Sequence, residues 1–232
     1  MGSAMTPHLL AAASPSVNIN LNGLRSPSSS LVILIALTLL SIAPSLLILL
    51  TGFTRVFIVL GLTRSALGLQ NTPPNQVIAG LALFISLAIM GPVFSQINSV
   101  AVQPYLHGKI NAIQAIDKGE VPLKSWMLKQ TRDTELSMFA STNHDSIKHP
   151  MHLPMTVVIP AFVLSEVQTA FIIGFVIFLP FMIIDLVVAS VLMSMGMFML
   201  PPTLVSLPFK ILLFVLVDGW SLVVHSLLVS FH

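Results

Sequence analysis

The sequence contains no cysteine, and it carries little charge of either sign. The missing cysteine excludes disulfides, thiolate metal sites and thiol catalysis within these 232 residues. Only 8% of the residues are charged, against about 25% in an ordinary soluble domain. A formal net charge of +2, with no basic patch interleaved with aromatics, argues against nucleic acid as a partner. What remains is apolar, since 55% of the residues are hydrophobic and the mean hydropathy is +0.96. We therefore predict an integral membrane protein.

The first half of the chain predicts one helical hairpin, over residues 31–94. Residues 31–53 carry no charge and exceed the about 20 apolar residues that a bilayer requires. Pro44 should kink this helix without ending it, because membrane helices tolerate proline when neighbours satisfy the freed carbonyl. The run NTPPN at 71–75 predicts a turn, and a second apolar segment, 77–94, should stop at Gly91-Pro92.

Two polar regions accompany this hairpin. Residues 1–30 are rich in serine, proline and asparagine and predict a flexible tail, whose first four residues, MGSA, resemble a cloning remnant. Residues 95–156 hold eleven of the eighteen charged residues and four of the histidines, and they predict a polar helical insert. Pro104 and Pro122 favour first helical turns, so we expect two amphipathic helices within the insert, at about 104–118 and 122–140.

The last region, 157–232, predicts a second helical hairpin. Its apolar block 157–200 is broken by Pro201-Pro202, and a further block, 203–229, follows. Basic residues in short loops favour the cytoplasm, which places the hairpin turns inside the cell. The insert and both ends of the chain should then lie on the periplasmic side.

Six charged residues lie within or beside the apolar segments, where each costs several kcal/mol unless it is paired. They are Glu166, Asp185, Lys210, Asp218, Arg55 and Arg64. Two interpretations stay open: a proton relay or ion path, and interhelical pairs that fix packing. Counted from a turn at Pro201-Pro202, Asp185 and Lys210 lie at different depths. We therefore expect Lys210 to meet Glu166 or Asp185 across a subunit boundary, or across a bend at Pro180.

Methionine alternates through the run MSMGMFML at 193–200. Methionine is flexible and polarizable, so it fills irregular gaps and can part again. Gly196 and the following Pro201-Pro202 predict irregular backbone here. At membrane depth such backbone persists only when it is buried in protein or lines a cavity. Ordinary helix packing is the alternative interpretation of these methionines.

Catalytic and metal-binding patterns are weak or missing in this sequence. It has no nucleophile–base arrangement, phosphate-binding loop or dinucleotide fingerprint, so we predict neither an enzyme nor a cofactor. His144, His149 and His152 lie close together, but they lack the spacing of a metal site on a helix. We therefore predict no metal site.

Three long stretches carry a resemblance to a known family. They read FTRVFIVLGLTRSALGLQNTPPNQVIAGLALFISLAIMGPV, VPLKSWMLKQTRDTELSMFA and IPAFVLSEVQTAFIIGFVIFLPFMIIDLVVASVLMSMGMFMLPPTLVSLPFKILLFVLVDGW. With them, residues 46–231 resemble the FliP/SctR family of type III export-gate subunits. The KSWMLKQTRDTEL segment favours the flagellar branch of the family, and an SctR-type subunit of a virulence secretion system is the alternative.

The resemblance implies more than composition does. It implies an all-α membrane protein with two apolar helical hairpins flanking a polar helical insert, assembling into an oligomeric export-gate ring. Members form a ring of about five copies with FliQ and FliR, beside FlhB and FlhA. The ring lies in the bacterial inner membrane at the flagellar basal body, with much of the gate on the periplasmic side. It admits unfolded flagellar proteins.

The resemblance also implies roles for named residues. Met197, Phe198 and Met199 match the family's methionine gasket, with Phe198 at a position that is often methionine. Glu166, Asp185 and Lys210 match the family's intramembrane charges. A proton-coupled transporter subunit, in which Glu166 or Asp185 titrates, is a further alternative.

Overall fold

The computed structural model describes residues 27–142 and 149–231, and every regular element within those ranges is helical. The predicted all-α class is confirmed. The predicted tail lies outside the described residues except for its last four positions, which already belong to the first helix. The α-helices in chain order are α1 (Pro27–Leu50), α2 (Phe53–Ala66), α3 (Asn75–Ile97), α4 (Gln103–Leu106), α5 (Ala112–Gln130), α6 (Asp133–Thr142), α7 (Met155–Ser194), α8 (Pro202–Leu216) and α9 (Gly219–Val229).

Two of the described helices are long and apolar enough to cross a membrane. One is the continuous stretch Asn75–Leu106, which joins α3 to α4 through the π-helical turn Asn98–Val102, and the other is α7, with 40 residues. Two further pairs of helices are long and apolar enough to cross a membrane when each pair, although bent, is counted as one span. The end of α1 and α2 meet at 80°, and α8 and α9 meet at 63°. The described chain therefore offers two spans, or up to four.

The first hairpin differs from the prediction in where its helices end. α1 continues through Pro44, as predicted, but the chain then bends sharply before α2. Gly52 lies at this bend and lets Phe231 approach closely, because a Cβ atom there would lie only 2.6 Å from the Phe231 ring. α3 runs through Gly91-Pro92, where we expected it to stop. The apolar sequence continues past Pro92, and a membrane helix tolerates the missing amide.

The predicted helices of the polar insert are wrong in their bounds. α5 starts after Asn111, whose side chain accepts from the Gln114 backbone N–H at 2.8 Å, while the Gln114 side chain accepts from the Asn111 N–H at 3.1 Å. This reciprocal capping box fixes the helix start. α5 then passes through Pro122, which we had taken as the start of a new helix. A cap with two satisfied donors outweighs the preference of proline for a first turn.

The described residues fall into two units, with the boundary between Ala43 and Pro44. The second unit has two apolar cores. One lies between α2, α3, α7 and α9 and includes Val56, Leu60, Ala82, Phe181 and Leu227. The other lies between α5, α6 and the start of α7 and includes Met127, Leu136, Val158 and Phe162.

Helix α7 is the common wall against which α2, α5, α6 and α8 pack. α2 lies along it, with Leu62 against Gly174, where a Cβ atom would meet Leu62 Cδ1 at 2.2 Å. α8 returns antiparallel to α7, and the rings of Phe181 and Phe214 face each other at 6.2 Å. This arrangement decides which embedded charges meet.

Candidate functional site

The first group of predicted site residues is an ion pair between α2 and α7, which we name the α2–α7 pair. Arg55 donates from Nη2 to Oε1 of Glu166. The two side chains are only 2% and 1% exposed. Burial of this depth is tolerated because the two charges neutralise each other, whereas a single buried ion is very costly.

The Arg55 guanidinium also contacts the end of α5 and the last described residues of the chain. Nη1 donates to the Ser230 carbonyl oxygen at 2.9 Å, and Nη2 donates to Gln130 Oε1 at 3.2 Å. The Phe231 ring lies 3.9 Å from the guanidinium carbon, and Gln130 Nε2 donates to the Phe231 carbonyl at 3.0 Å. One arginine therefore joins four segments that are far apart in sequence.

The second group is an ion pair between α7 and α8, which we name the α7–α8 pair. Lys210 Nζ lies 2.6 Å from Asp185 Oδ2 and 3.3 Å from the Ala66 carbonyl oxygen. Ser206 donates to the other carboxylate oxygen of Asp185 at 2.5 Å. The Lys210 side chain is buried, while the Asp185 side chain is 32% exposed.

This geometry corrects the expectation that Lys210 meets an acidic residue across a subunit boundary or across a bend at Pro180, since it meets Asp185 within one chain and α7 continues through Pro180. We had placed the turn at Pro201-Pro202 and counted depths from there. α7 ends at Ser194 instead, and α8 begins at Pro202. Measured from those helix ends, Asp185 and Lys210 lie about 12–14 Å deep at 1.5 Å per residue, so they face each other. Glu166 and Asp185, the two acids that a proton relay would use, therefore each face a cation of the same chain.

The structure does not bring the remaining two predicted charges into an ion pair within its described residues. Arg64, at the end of α2, donates to the Pro73 carbonyl at 3.0 Å and to Asn75 Oδ1 at 2.7 Å, which ties it to the α2–α3 turn. Asp218 is exposed at the bend between α8 and α9, with φ of 50° in the left-handed region. Aspartate is one of the few residues besides glycine that tolerate this conformation.

The predicted gasket residues lie in the loop between α7 and α8. The loop opens with Gly196 at φ of 74°, a conformation that favours glycine, and this glycine ends α7. Met197, Phe198 and Met199 follow with 39%, 79% and 97% of their surfaces exposed. The chain therefore presents three large apolar side chains at a loop tip without covering them itself.

An open apolar groove of about 500 Å³ lies between α7 and α8, close to this loop. Its lining is wholly aliphatic and aromatic: Ile183, Ile184, Val187, Val188, Val191, Leu192, Val205 and Phe209. It offers nothing for acid–base or metal chemistry. Across the described ranges no three histidine, cysteine or acidic residues gather as metal ligands. His144, one of the three histidines that we weighed, lies outside the described residues.

Sequence reasoning missed the residues that complete the two pairs: Gln130, Ser206, Ser230 and Phe231. Ser206 had a usable signal, since it stands four residues before Lys210 and so on the same face of α8. Gln130 and the last residues of the chain gave none, because only the fold brings them to Arg55.

The fold and the paired embedded charges define the chain as a helical membrane protein whose spans are joined by ion pairs. Comparison with known families then gives its membership, since the model of the FliP family matches residues 36–227. The flagellar biosynthetic protein FliP of Bacillus subtilis (strain 168) is 54% identical over 88% of this chain and 93% of its own length. Those of Aquifex aeolicus (strain VF5) and Pectobacterium carotovorum subsp. carotovorum are 51% and 49% identical, over 88% and 91% of this chain and 86% and 82% of their own lengths. The chain belongs to the FliP family.

Proposed function

We propose that this chain is a core subunit of the flagellar type III protein export gate. In this proposal, several copies form a ring with FliQ and FliR in the bacterial inner membrane, next to FlhB and FlhA. Unfolded flagellar proteins pass through the ring. Membership of the FliP family supports the flagellar assignment. The observation that carries the channel role is the exposed Met197-Phe198-Met199 loop.

The chemistry of the loop suits a closed constriction. Three large apolar side chains on one loop tip are poorly placed in water, so we expect them to meet the same loop of neighbouring copies. Thioether and aromatic side chains exclude water when packed together, and hydrophobic constrictions block ions by dewetting. Each sulfur–aromatic contact contributes only about 0.3–1.5 kcal/mol, so a passing polypeptide can separate the ring.

The outer face of α7 supports assembly into an oligomer. It exposes a continuous series of large apolar side chains: Phe171, Phe175, Val176, Leu179, Met182, Ile183, Leu186 and Val187. The groove between α7 and α8 continues this face toward the loop. A surface of this extent in a membrane protein faces lipid or other subunits, and a ring requires both.

The constriction is tested by replacing Met197, Phe198 and Met199 together with alanine and measuring ion conductance of the resting cell membrane. We expect the triple variant to assemble and to leak ions. Met182→Ala is the matched control, because Met182 is exposed on the outer face of α7, away from the loop. A triple variant that assembles and leaks no more than the control would refute the constriction.

A further inference from the structure

The turn between α2 and α3 carries an open polar pocket of about 280 Å³, which we name the α2–α3 pocket. Its walls are one arginine, one proline and four residues with side-chain amides: Arg64, Pro74, Gln70, Asn71, Asn75 and Gln76. The groove between α7 and α8 is lined by apolar side chains alone, so the two cavities differ in kind. A pocket walled by a cation and amides suits an anion that accepts hydrogen bonds.

Arg64 brings to this pocket a positive charge that the rest of the described chain does not neutralise. Arg55 and Lys210 each face an acid, whereas Arg64 makes no ion pair with any described residue. Its Nη1 donates to the Pro73 carbonyl and to Asn75, which fixes the guanidinium at the pocket wall. Its Nη2 makes no hydrogen bond to a described group, so the N–H groups of this nitrogen remain for a ligand.

The sequence around the pocket supplies no carboxylate. The first acidic residue of the chain is Asp117, so α2, α3 and the turn between them contain none. The side-chain amides of Gln70, Asn71 and Gln76 make no hydrogen bonds to described residues, and all three residues are exposed. Each amide can donate two hydrogen bonds. The walls of the pocket therefore offer donors around an uncompensated cation.

The surroundings of the pocket indicate a lipid as the source of the anion. The pocket lies where α2 ends and α3 begins, and both helices belong to stretches long and apolar enough to cross a membrane. Beside it, α3 exposes a row of large apolar side chains: Val77, Leu81 and Phe84, with 55%, 40% and 73% of their surfaces exposed. Their spacing of i, i+4 and i+7 places them on one face, which leads away from the pocket along the helix. A phospholipid has the same order, with a phosphate followed by acyl chains.

We propose that the α2–α3 pocket binds the phosphate of an anionic phospholipid, whose acyl chains lie along the apolar row of α3. Arg64 Nη2 donates to the phosphate oxygens, and the amides of the other walls donate to the rest of the headgroup. Basic pockets between transmembrane helices are typical sites for anionic headgroups. The inference requires a bilayer but no export path, so it can fail while the proposed function stands.

Two other anions fit the pocket less well. A free phosphate uses the same donors but does not cover the apolar row that begins at Val77. An acidic side chain from another subunit would neutralise Arg64. Its carboxylate is not much larger than a water molecule, whose share of liquid volume is about 30 Å³, so it would fill only a small part of the pocket.

The test counts lipid bound to the purified complex by native mass spectrometry. Complex freed of lipid in a neutral detergent is titrated with phosphatidylglycerol, and phosphatidylcholine, which has no net charge, is the lipid control. Because substitution of Arg64 also removes its bonds within the turn, the main variant is Gln76→Glu, which brings a carboxylate to the pocket wall at nearly constant size. An acid in the first turn of a helix is favourable, so α3 should stay folded.

We expect Gln76→Glu to weaken phosphatidylglycerol binding at least about tenfold, because it sets a like charge against the phosphate and offers Arg64 another partner. Gln96→Glu is the matched control, since it makes the same change at an exposed glutamine near the other end of α3. Weakening by Gln76→Glu, with Gln96→Glu equal to the parent, supports the inference. Equal weakening by both would show a response to net charge alone and overturn the site.

Soluble anions separate the remaining sources. Inorganic phosphate and glycerol phosphate are titrated into the same complex. If either binds as tightly as phosphatidylglycerol, the pocket takes a free phosphate and the lipid assignment is wrong. If the parent complex binds phosphatidylglycerol no better than phosphatidylcholine, and binds neither soluble anion, another subunit covers the pocket and the inference fails.

Discussion

The two ion pairs of this chain share helix α7, yet they stand in different surroundings. The α2–α7 pair is closed off, and its arginine also holds Gln130, Ser230 and Phe231. The α7–α8 pair lies near the exposed loop, and about a third of the Asp185 side chain is open. One pair therefore joins elements that are distant in sequence, while the other joins two neighbouring helices.

The difference suggests a division of roles along α7. At the α2–α7 pair the helices are fixed by a buried network, in which Arg55 holds Glu166, Gln130 and Ser230 together. At the α7–α8 pair the Asp185 side chain is 32% exposed, so we expect its contacts with Lys210 and Ser206 to exchange more easily. The proposed constriction would need a rigid end and an adjustable end in each subunit, and the two pairs differ in this way.

The largest effect is expected from breaking the α2–α7 pair. Arg55→Met leaves the Glu166 carboxylate buried without a counter-charge, which typically costs about 3–5 kcal/mol. Whole domains are stable by only about 5–15 kcal/mol, so we expect most of the assembled protein to be lost. The measurement is the yield and thermal stability of the purified complex in detergent.

The double variant Arg55→Met with Glu166→Met is the control for this prediction. It removes both charges and keeps the volume, which often leaves stability nearly unchanged or improved. We expect it to recover much of the lost yield. An Arg55→Met protein as stable as the parent would show that the buried pair does not hold the helices together.

A smaller effect is expected from breaking the α7–α8 pair. Lys210→Met leaves Asp185 with its Ser206 hydrogen bond and with access to solvent. We therefore expect a loss of about 1–2 kcal/mol, below the usual cost of a buried pair. Thermal stability of the purified complex shows which of Arg55→Met and Lys210→Met loses more. Lys210→Arg keeps the charge, so its stability should lie between that of Lys210→Met and that of the parent. If Lys210→Met loses as much stability as Arg55→Met, assembly must cover Asp185. The two pairs would then be equally buried in the complex.

The sequence predicted that the embedded charges need partners, but it did not predict which partners. Arg55 and Glu166 lie 111 positions apart, so their meeting depends on how α2 packs on α7. Asp185 was one of the two predicted partners of Lys210, but their contact within one straight hairpin was not expected, for a more local reason. Helix α7 ends seven residues before the proline that we took as the turn, because Gly196 adopts a left-handed conformation first.

The helical class and the apolar hairpins followed directly from hydropathy, whereas the breaks within the hairpins did not. The bend at Asp218 was not predicted, although the dipeptide Asp218-Gly219 at its centre is typical of turns. The start of α5 did have a signal, since the Asn111–Gln114 spacing is that of a capping box, and proline was given too much weight beside it. The presence of helices could thus be predicted from the sequence, but their ends could be predicted only where a cap was recognised.

The smallest effect concerns Gly174, which lies on α7 between the two pairs. Gly174→Ala places a methyl group 2.2 Å from Leu62 Cδ1 and 3.1 Å from Leu62 Cβ, so the leucine must turn and α2 must shift slightly. Overpacking costs about 1–3 kcal/mol, and because the nearest atom ends a flexible side chain we expect about 1 kcal/mol, measured by thermal unfolding of the complex. Gly61→Ala is the matched control on α2, where the added methyl meets no atom within 4 Å, and it should stabilise the helix by about 0.5–1 kcal/mol. Opposite signs for the two substitutions would show that α2 and α7 touch at Gly174 in the assembled protein as they do in the single chain. Equal, stabilising effects would show instead that the two helices separate there on assembly, leaving each ion pair to hold its own end of α7.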